Sequence, residues 1–209
     1  MKFNKKNILW DFDGVILDSM SVRDWGFEEI FKEFDSAQVS RLLKYHRENG
    51  GLSRYVKIRY FFENILEQNI SDTQVMTYAN NFSILMKKEL ISRDNLISDS
   101  LTFIKETYNK FNFHIVSGSD QEELRYLCQK LKISSFFLSI EGSPTPKKKL
   151  VQNLLEKYNY DRFDTCLIGD SINDYEAAKF NDIDFYGYNN DKLRNIGQMY
   201  IDCFKTLAD

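Results

Sequence analysis

Long apolar runs are missing from the 209 residues, and none approaches the ~20 consecutive apolar residues that a membrane-spanning helix needs. A dominant charge is missing too. With 28 basic and 31 acidic residues the net charge is -3, which gives no case for binding nucleic acid or a membrane surface. Cysteine is scarce. Cys128, Cys166 and Cys203 are odd in number, far apart and without metal-ligand spacing, so buried thiols in a reducing cytoplasm are expected. Only two prolines occur, Pro144 and Pro146, both in one loop, and there is no repeat or low-complexity linker. Lys5 and Lys6 precede an apolar run, but Asp11 and Asp13 interrupt it after a few residues, so it does not read as a secretory signal. What the chain does have is 43% hydrophobic and 15% aromatic residues, enough for a packed core domain plus a small insert.

Short apolar runs ending in small or acidic residues carry the fold. They are "NILWDFDG", "FHIVSGSD" (Phe113 to Asp120) and "TCLIGDSIND" (Thr165 to Asp174), with "DFYGY" (Asp184 to Tyr188) as a fourth. Helical patterns follow the second and third, over Gln121 to Lys132 and Asn173 to Phe180. Strands alternating with helices predict an α/β fold, a Rossmann-like doubly wound parallel sheet. Between Ser19 and about Arg93 no strand signal appears. Apolar residues there recur at helical spacing, as in Val56, Tyr60, Phe61, Ile65 and Leu66, and in Val75, Phe82, Leu85 and Met86. The expected organisation is a core of residues 1–18 and 94–209, with an inserted α-helical cap of residues 19–93.

In such sheets ligands bind beyond the carboxyl ends of the strands, and the polar candidates fall there. Asp11 and Asp13 end the first run. At i and i+2 of a strand they would share a side and repel, which is costly unless a cation or a shared task uses both. The bland alternative is a turn or a helix N-cap. Ser117, with Gly118 and Ser119, ends the second run and could equally be a cap. Asp170 ends the third, with Asp174 one helical turn later, and "GDSIND" also reads as a capped helix start. A lysine in "SPTPKKKL" completes the set. On a helix starting near Pro146, Lys147 shares the inward face of Leu150 and Val151, whereas Lys148, the second choice, and Lys149 point outward.

Order, strand context and spacing together resemble the haloacid dehalogenase superfamily of hydrolases, its phosphatase branch with a helical cap after the first strand. "DFDGVILDS" is similar to the family's first motif, "IVSGS" to its second, and the motif-three lysine with "IGDSINDYEAA" to the remainder. The resemblance covers the whole core. It implies that Asp11 attacks phosphorus to form an aspartyl-phosphate and that Asp13 serves as acid and then base. It implies phosphate contacts from Ser117 and Gly118, and charge neutralisation by Lys147. A Mg²⁺ ion is implied, held by Asp11, Asp170, Asp174 and the backbone carbonyl of Asp13. Asp13 separates this chain from the dehalogenases and phosphonate-cleaving relatives, which resemble one another in lacking it.

The expected function is therefore a Mg²⁺-dependent phosphomonoester hydrolase acting on a small phosphorylated metabolite, a sugar phosphate or a phosphoglycolate-like compound. The alternatives are a β-phosphoglucomutase-type phosphomutase and a non-catalytic binding module that kept the fold. No nucleic-acid or membrane partner is expected, and the chain is expected to be a monomer or weak homodimer. Specificity should come from the cap. There "YHRENGGLSRYVKIRYF" puts Arg47 and Arg54 either side of a Gly50-Gly51 turn, as candidate substrate contacts. Lys57 and Arg59 read as solvated, His46 as structural, and His114 as a core histidine.

Overall fold

The computed structural model describes residues 4–207. Six strands form one parallel sheet: β1 (Asn7–Trp10), β2 (Asn112–Asp120), β3 (Ser139–Ser143), β4 (Thr165–Gly169), β5 (Asp184–Tyr188) and β6 (Met199–Ile201). Their order is β3-β2-β1-β4-β5-β6. β1 is central and every one of its residues is buried, as an unbroken apolar run requires when both sheet faces are covered. The two-residue period divides the core. Ile8 and Trp10 pack on one face with Phe113, Ile115 and Ile168, under α5 (Ser98–Thr107) and α6 (Gln121–Lys130). Leu9, Val116, Leu167 and Phe185 pack on the other, under α7 (Lys147–Tyr158) and α8 (Ile172–Phe180). The sheet is thus doubly wound, as the alternation of elements predicts. The two strands without a sequence signal are β3 and β6, which lie at the two edges. An edge strand is half-covered and short, so β3 ("SIEGS") can be polar and β6 only three residues long.

After β1 the chain builds α1 (Met20–Ile30), α2 (Ser36–Glu48), α3 (Arg54–Tyr60) and α4 (Asp72–Glu89). It leaves the sheet and returns on adjacent segments. The Asp18 N–H donates to the Asn95 carbonyl at 2.8 Å, and the Ile97 N–H to the Ile16 carbonyl at 2.9 Å. Phe27, Phe31, Phe61 and Phe82 fill the interior of this helical unit, with ring centroids 4.3 Å apart for Phe31–Phe61 and 4.5 Å for Phe27–Phe82. Gly26 lets α1 and α4 meet, since a Cβ there would lie 2.5 Å from Met86 Cε. Val56 departs from the helical pattern and is exposed. α3 runs into a π-helical turn over Phe61–Ile65, in which Phe61, Phe62 and Ile65 are buried.

Candidate active site

Asp11 follows the last residue of β1 and is 2% exposed. Its N–H still donates to the Ile168 carbonyl at 2.9 Å, which fixes it against the end of β4. Gly14 allows the next approach. Its φ is +75°, and a Cβ there would lie 1.9 Å from Asp170 Oδ2, so any other residue would push the two strand ends apart. Asp174 lies one turn into α8. Its Oδ2 accepts from the Ser171 N–H at 3.0 Å and closes the helix N-terminus, while the Ser171 hydroxyl caps the helix in return. Carboxylate oxygens of Asp11, Asp170 and Asp174 lie within 4.8 Å of one another.

Lys147, the first residue of α7, is buried and answers this negative charge. Its Nζ is 2.8 Å from Asp11 Oδ1 and also pairs with Asp174 Oδ1. Lys148, by contrast, lies over the Phe180 ring. Burial pushes the Asp11 carboxyl up to about 7, and Asp174 adds to the rise while Lys147 opposes it. Asp170 is raised well above the carboxylate range by burial and then by Asp11. Burial would lower Lys147, but Asp11 and Asp174 outweigh it and hold its proton. Among the described residues no hydrogen bond or ion pair reaches the Asp170 carboxylate. Three crowded hard oxygen donors, one of them unpartnered, are the donor set a small divalent cation takes, so the residues fit a metal of the Mg²⁺ kind.

Asp13 does not share this cluster. β1 ends at Trp10, so the strand geometry that would face Asp13 beside Asp11 does not extend that far. The Asp13 carboxylate instead accepts from Arg23 Nε at 2.7 Å, from Ser119 Oγ at 2.6 Å and from the Ser19 hydroxyl. Burial alone would raise it, but Arg23 and the two serines outweigh burial and hold it below the usual range. Ser117 is buried, and its Oγ accepts the Ser119 N–H at 3.1 Å. Gly118 touches the helical unit, because a Cβ there would lie 2.1 Å from the Gly51 carbonyl oxygen. The Gly50-Gly51 turn therefore lies directly over the strand ends. Asn173 Nδ2 donates to the Gly50 carbonyl at 2.6 Å.

Beneath that turn a cavity of about 40 Å³ opens onto Asp11, Asp13, Ser117 and Gly118. Arg54 lines it, buried and paired with Glu123 of α6 at 2.6 Å. Arg47 does not line it: the side chain is 59% exposed and Arg47 Nε donates to Asp24 Oδ2 at 2.8 Å. Lys57, expected in solvent, is buried in the cavity wall with Nζ 2.7 Å from His46 Nδ1. Lys57 shares the inward face of α3 with buried Arg54, one turn before it, and with buried Ile58. His46 is neutral, pushed down to about 2 by burial and then by Lys57. His114 is a core residue, bonded to Ser139 Oγ at 2.8 Å and to the Tyr160 hydroxyl at 2.9 Å. Arg23, Ser119 and Glu123 carry no signal of their own in the sequence. Arg23 and Glu123 read as ordinary surface charges of amphipathic helices, although Arg23 falls one turn after Ser19 of the first motif.

Burial, followed by repulsion from Arg23, pushes Lys57 down to about 7 from the ordinary 10.5. The unfolded chain therefore binds more protons between those values, and stability rises with pH across that window. The burden of the buried cation is full below about pH 7 and gone above about 10.5. Lys57→Met should thus raise the melting temperature at pH 6 by about 2–8 °C, equivalent to ~1–2 kcal/mol, and the gain should shrink by pH 9–10. Thermal melts at the two pH values check this, and a lower Tm for the variant at pH 6 would show that the burden is absent.

The parallel order, the helical insertion after β1 and the acidic cluster at the strand ends together define one enzyme class. The family model described as haloacid dehalogenase-like hydrolase matches residues 8–188, and the chain belongs to that family. Solved structures agree on the fold. A β-phosphoglucomutase from Clostridium difficile superposes with a TM-score of 0.76 at 14% identity, over 97% of this chain and 93% of that one. A protein named as a phosphoglycolate phosphatase, from Lactobacillus plantarum, gives 0.73 at 14% identity, over 96% of each chain. The haloacid dehalogenase-like protein SP0104 from Streptococcus pneumoniae gives 0.70 at 17% identity, over 94% and 93%. No curated protein matches the chain in sequence. No helix among the described residues is long and apolar enough to cross a membrane.

Proposed function

We propose that this hydrolase is a Mg²⁺-dependent phosphomonoesterase of small metabolites, working through an aspartyl-phosphate on Asp11, with residues 19–93 serving as its cap. One observation carries the reading: buried Lys147 pairs with Asp11 beside Asp170 and Asp174, facing the Ser117-Gly118 strand end. Burial favours a protonated, inert Asp11 carboxyl, and Lys147 offsets that by favouring the carboxylate. Asp11 attacks phosphorus in line, and the alcohol oxygen leaves with the bonding pair. The Ser117 hydroxyl and the Gly118 N–H hold the phosphoryl oxygens. Asp13 is ionised at rest. A phosphate ester seated against it adds negative charge, which raises its proton affinity, so that it takes up a proton from solvent as the ester binds and passes it to the leaving alcohol. Deprotonated by that step, it takes a proton from the water that attacks the phospho-enzyme. Asp11, Asp170, Asp174 and the Asp13 carbonyl would hold the ion, which when bound neutralises charge on the transferring phosphoryl group.

Release of inorganic phosphate from a panel of phosphorylated metabolites tests the reaction, and an isomerised sugar phosphate without phosphate release would favour the mutase. Excess chelator, and separately Asp170→Ala, should lower turnover by more than the ~10–100-fold that changes around metal ligands already cost. Activity unchanged in chelator would remove the metal from the proposal.

A further inference from the structure

The ladder between β4 and β5 ends at the pair Gly169–Gly187, one residue short of Asp170. Past that point a side chain holds the main chain of Asp170. Asn190, just beyond β5, donates from Nδ2 to the Asp170 carbonyl at 2.7 Å. The other end of the same amide is used as well, since Asn190 Oδ1 accepts the Lys192 N–H at 3.2 Å. With a donor and an acceptor both engaged, the orientation of the amide is fixed. Asn189 reaches further, past β4 to the loop after β1, where its Nδ2 donates to the Gly14 carbonyl at 3.0 Å. It does so from a φ of +53°, a left-handed conformation that asparagine adopts more readily than other residues with a side chain.

Both carbonyls belong to the frame of the acidic cluster. Asp170 is one of its members. Gly14 follows Asp13 and packs so closely on the Asp170 carboxylate that a Cβ there would lie 1.9 Å from Oδ2. The Gly14 N–H is held too, donating to the Leu17 carbonyl at 2.8 Å. Among the described residues the Asp170 carboxylate has no hydrogen bond or ion pair of its own, so the main chain that carries it sets its place. We propose that Asn189 and Asn190 are positioning residues for the metal site. Together they clasp the ends of β4 and β1, and so fix how far the Asp170 carboxylate stands from Asp11 and from the Asp13 carbonyl. The assignment rests on the Mg²⁺ reading above and deepens it.

Displacement of a ligand weighs differently on the two common hard cations. Mg²⁺ demands a near-ideal octahedron of oxygens at about 2.0–2.1 Å, whereas Ca²⁺ accepts about 6–8 oxygens at about 2.3–2.6 Å in a flexible arrangement. A loosened clasp should therefore cost Mg²⁺ more than Ca²⁺. A change of charge would act on both ions alike, and replacing a neutral asparagine by a neutral residue makes none.

Two substitutions each release one carbonyl and spare the backbone. Asn189→Gly removes the amide and keeps the left-handed conformation open. Asn190→Ser keeps an oxygen that can cap the Lys192 N–H, but its side chain falls one bond short of the amide that reaches Asp170. Calorimetric titration of the wild type and of each variant, with Mg²⁺ alone and with Ca²⁺ alone, reads the effect without turnover. Affinity for Mg²⁺ should fall by about tenfold or more, as it does when groups that orient metal ligands are removed, and affinity for Ca²⁺ by less than about threefold. Circular dichroism checks that each variant is folded, and either variant alone is sufficient for the test. Equal losses for the two ions would make the asparagines general supports of the loop. Mg²⁺ bound by both variants as tightly as by the wild type would leave them no part in the site. Either result overturns the clasp and leaves the metal in place. Wild-type protein that takes up neither ion removes the Mg²⁺ reading, and the clasp falls with it.

Discussion

Asp11→Asn should fold as the wild type does and lose at least about a thousandfold in kcat, because loss of the attacking group removes the covalent route altogether. The substitution keeps volume and shape at a position that is 2% exposed, and the amide can still accept from Lys147, 2.8 Å away. Removing the charge also relieves its repulsion with Asp174 and Asp170, so the Tm should not fall. The two readouts therefore separate, with activity lost and stability kept. Turnover near the wild-type rate would sink the aspartyl-phosphate route, and collapse of the fold would show that the Asp11–Lys147 pair is structural first. Mass spectrometry of quenched wild-type enzyme with substrate should show a phosphoryl adduct that Asp11→Asn lacks.

That residue was legible in the sequence because its chemistry and its position are both local. An apolar run buried on both faces ends in a carboxylate, and parallel sheets put such ends together whatever the remaining sequence does. Asp170 and Lys147 were readable for the same reason, one at a strand end and one on the inward face of a helix start. Other parts of the site depend on long-range placement. Glu123 lies in the first turn of α6, among "DQEEL", where acids favour a helix N-terminus, and nothing local separates it from exposed Glu122. It becomes a buried partner only because α1 and α3 bring two arginines onto it. Lys57 reads as solvated because a basic residue beside an interhelix glycine turn usually faces water, and only the packing of α3 puts it on the inward face with Arg54 and Ile58. Arg47 and Arg54 flank the same glycines, yet one is paired with Asp24 at the surface and the other is buried. The edge strands β3 and β6 escaped because half-covered strands need no apolar signature.

Glu123→Gln should be the most destabilising of the conservative changes considered. The carboxylate is fully buried, accepts from Arg23 Nη1 at 3.2 Å and pairs with Arg54 Nη1 at 2.6 Å. It belongs to α6 of the sheet domain, whereas both arginines belong to the helical unit, so one carboxylate ties the two together. Neutralising it leaves Arg54 without its carboxylate partner and Arg23 paired to Asp13 alone. Breaking a buried ion pair by removing one partner costs about 3–5 kcal/mol, far more than the net worth of forming it. For a chain of this size that corresponds to a fall in Tm of about 6–20 °C. Pairing the change with Arg54→Met should recover part of the loss, since the second substitution removes one stranded charge and the two sites share a contact. A Glu123→Gln protein melting within about 2 °C of wild type would mean that water, rather than Glu123, compensates the arginines. The tie across the two parts would then rest on Tyr55–Asp120 and Asn173–Gly50, the hydrogen bonds of 2.7 Å and 2.6 Å that flank it.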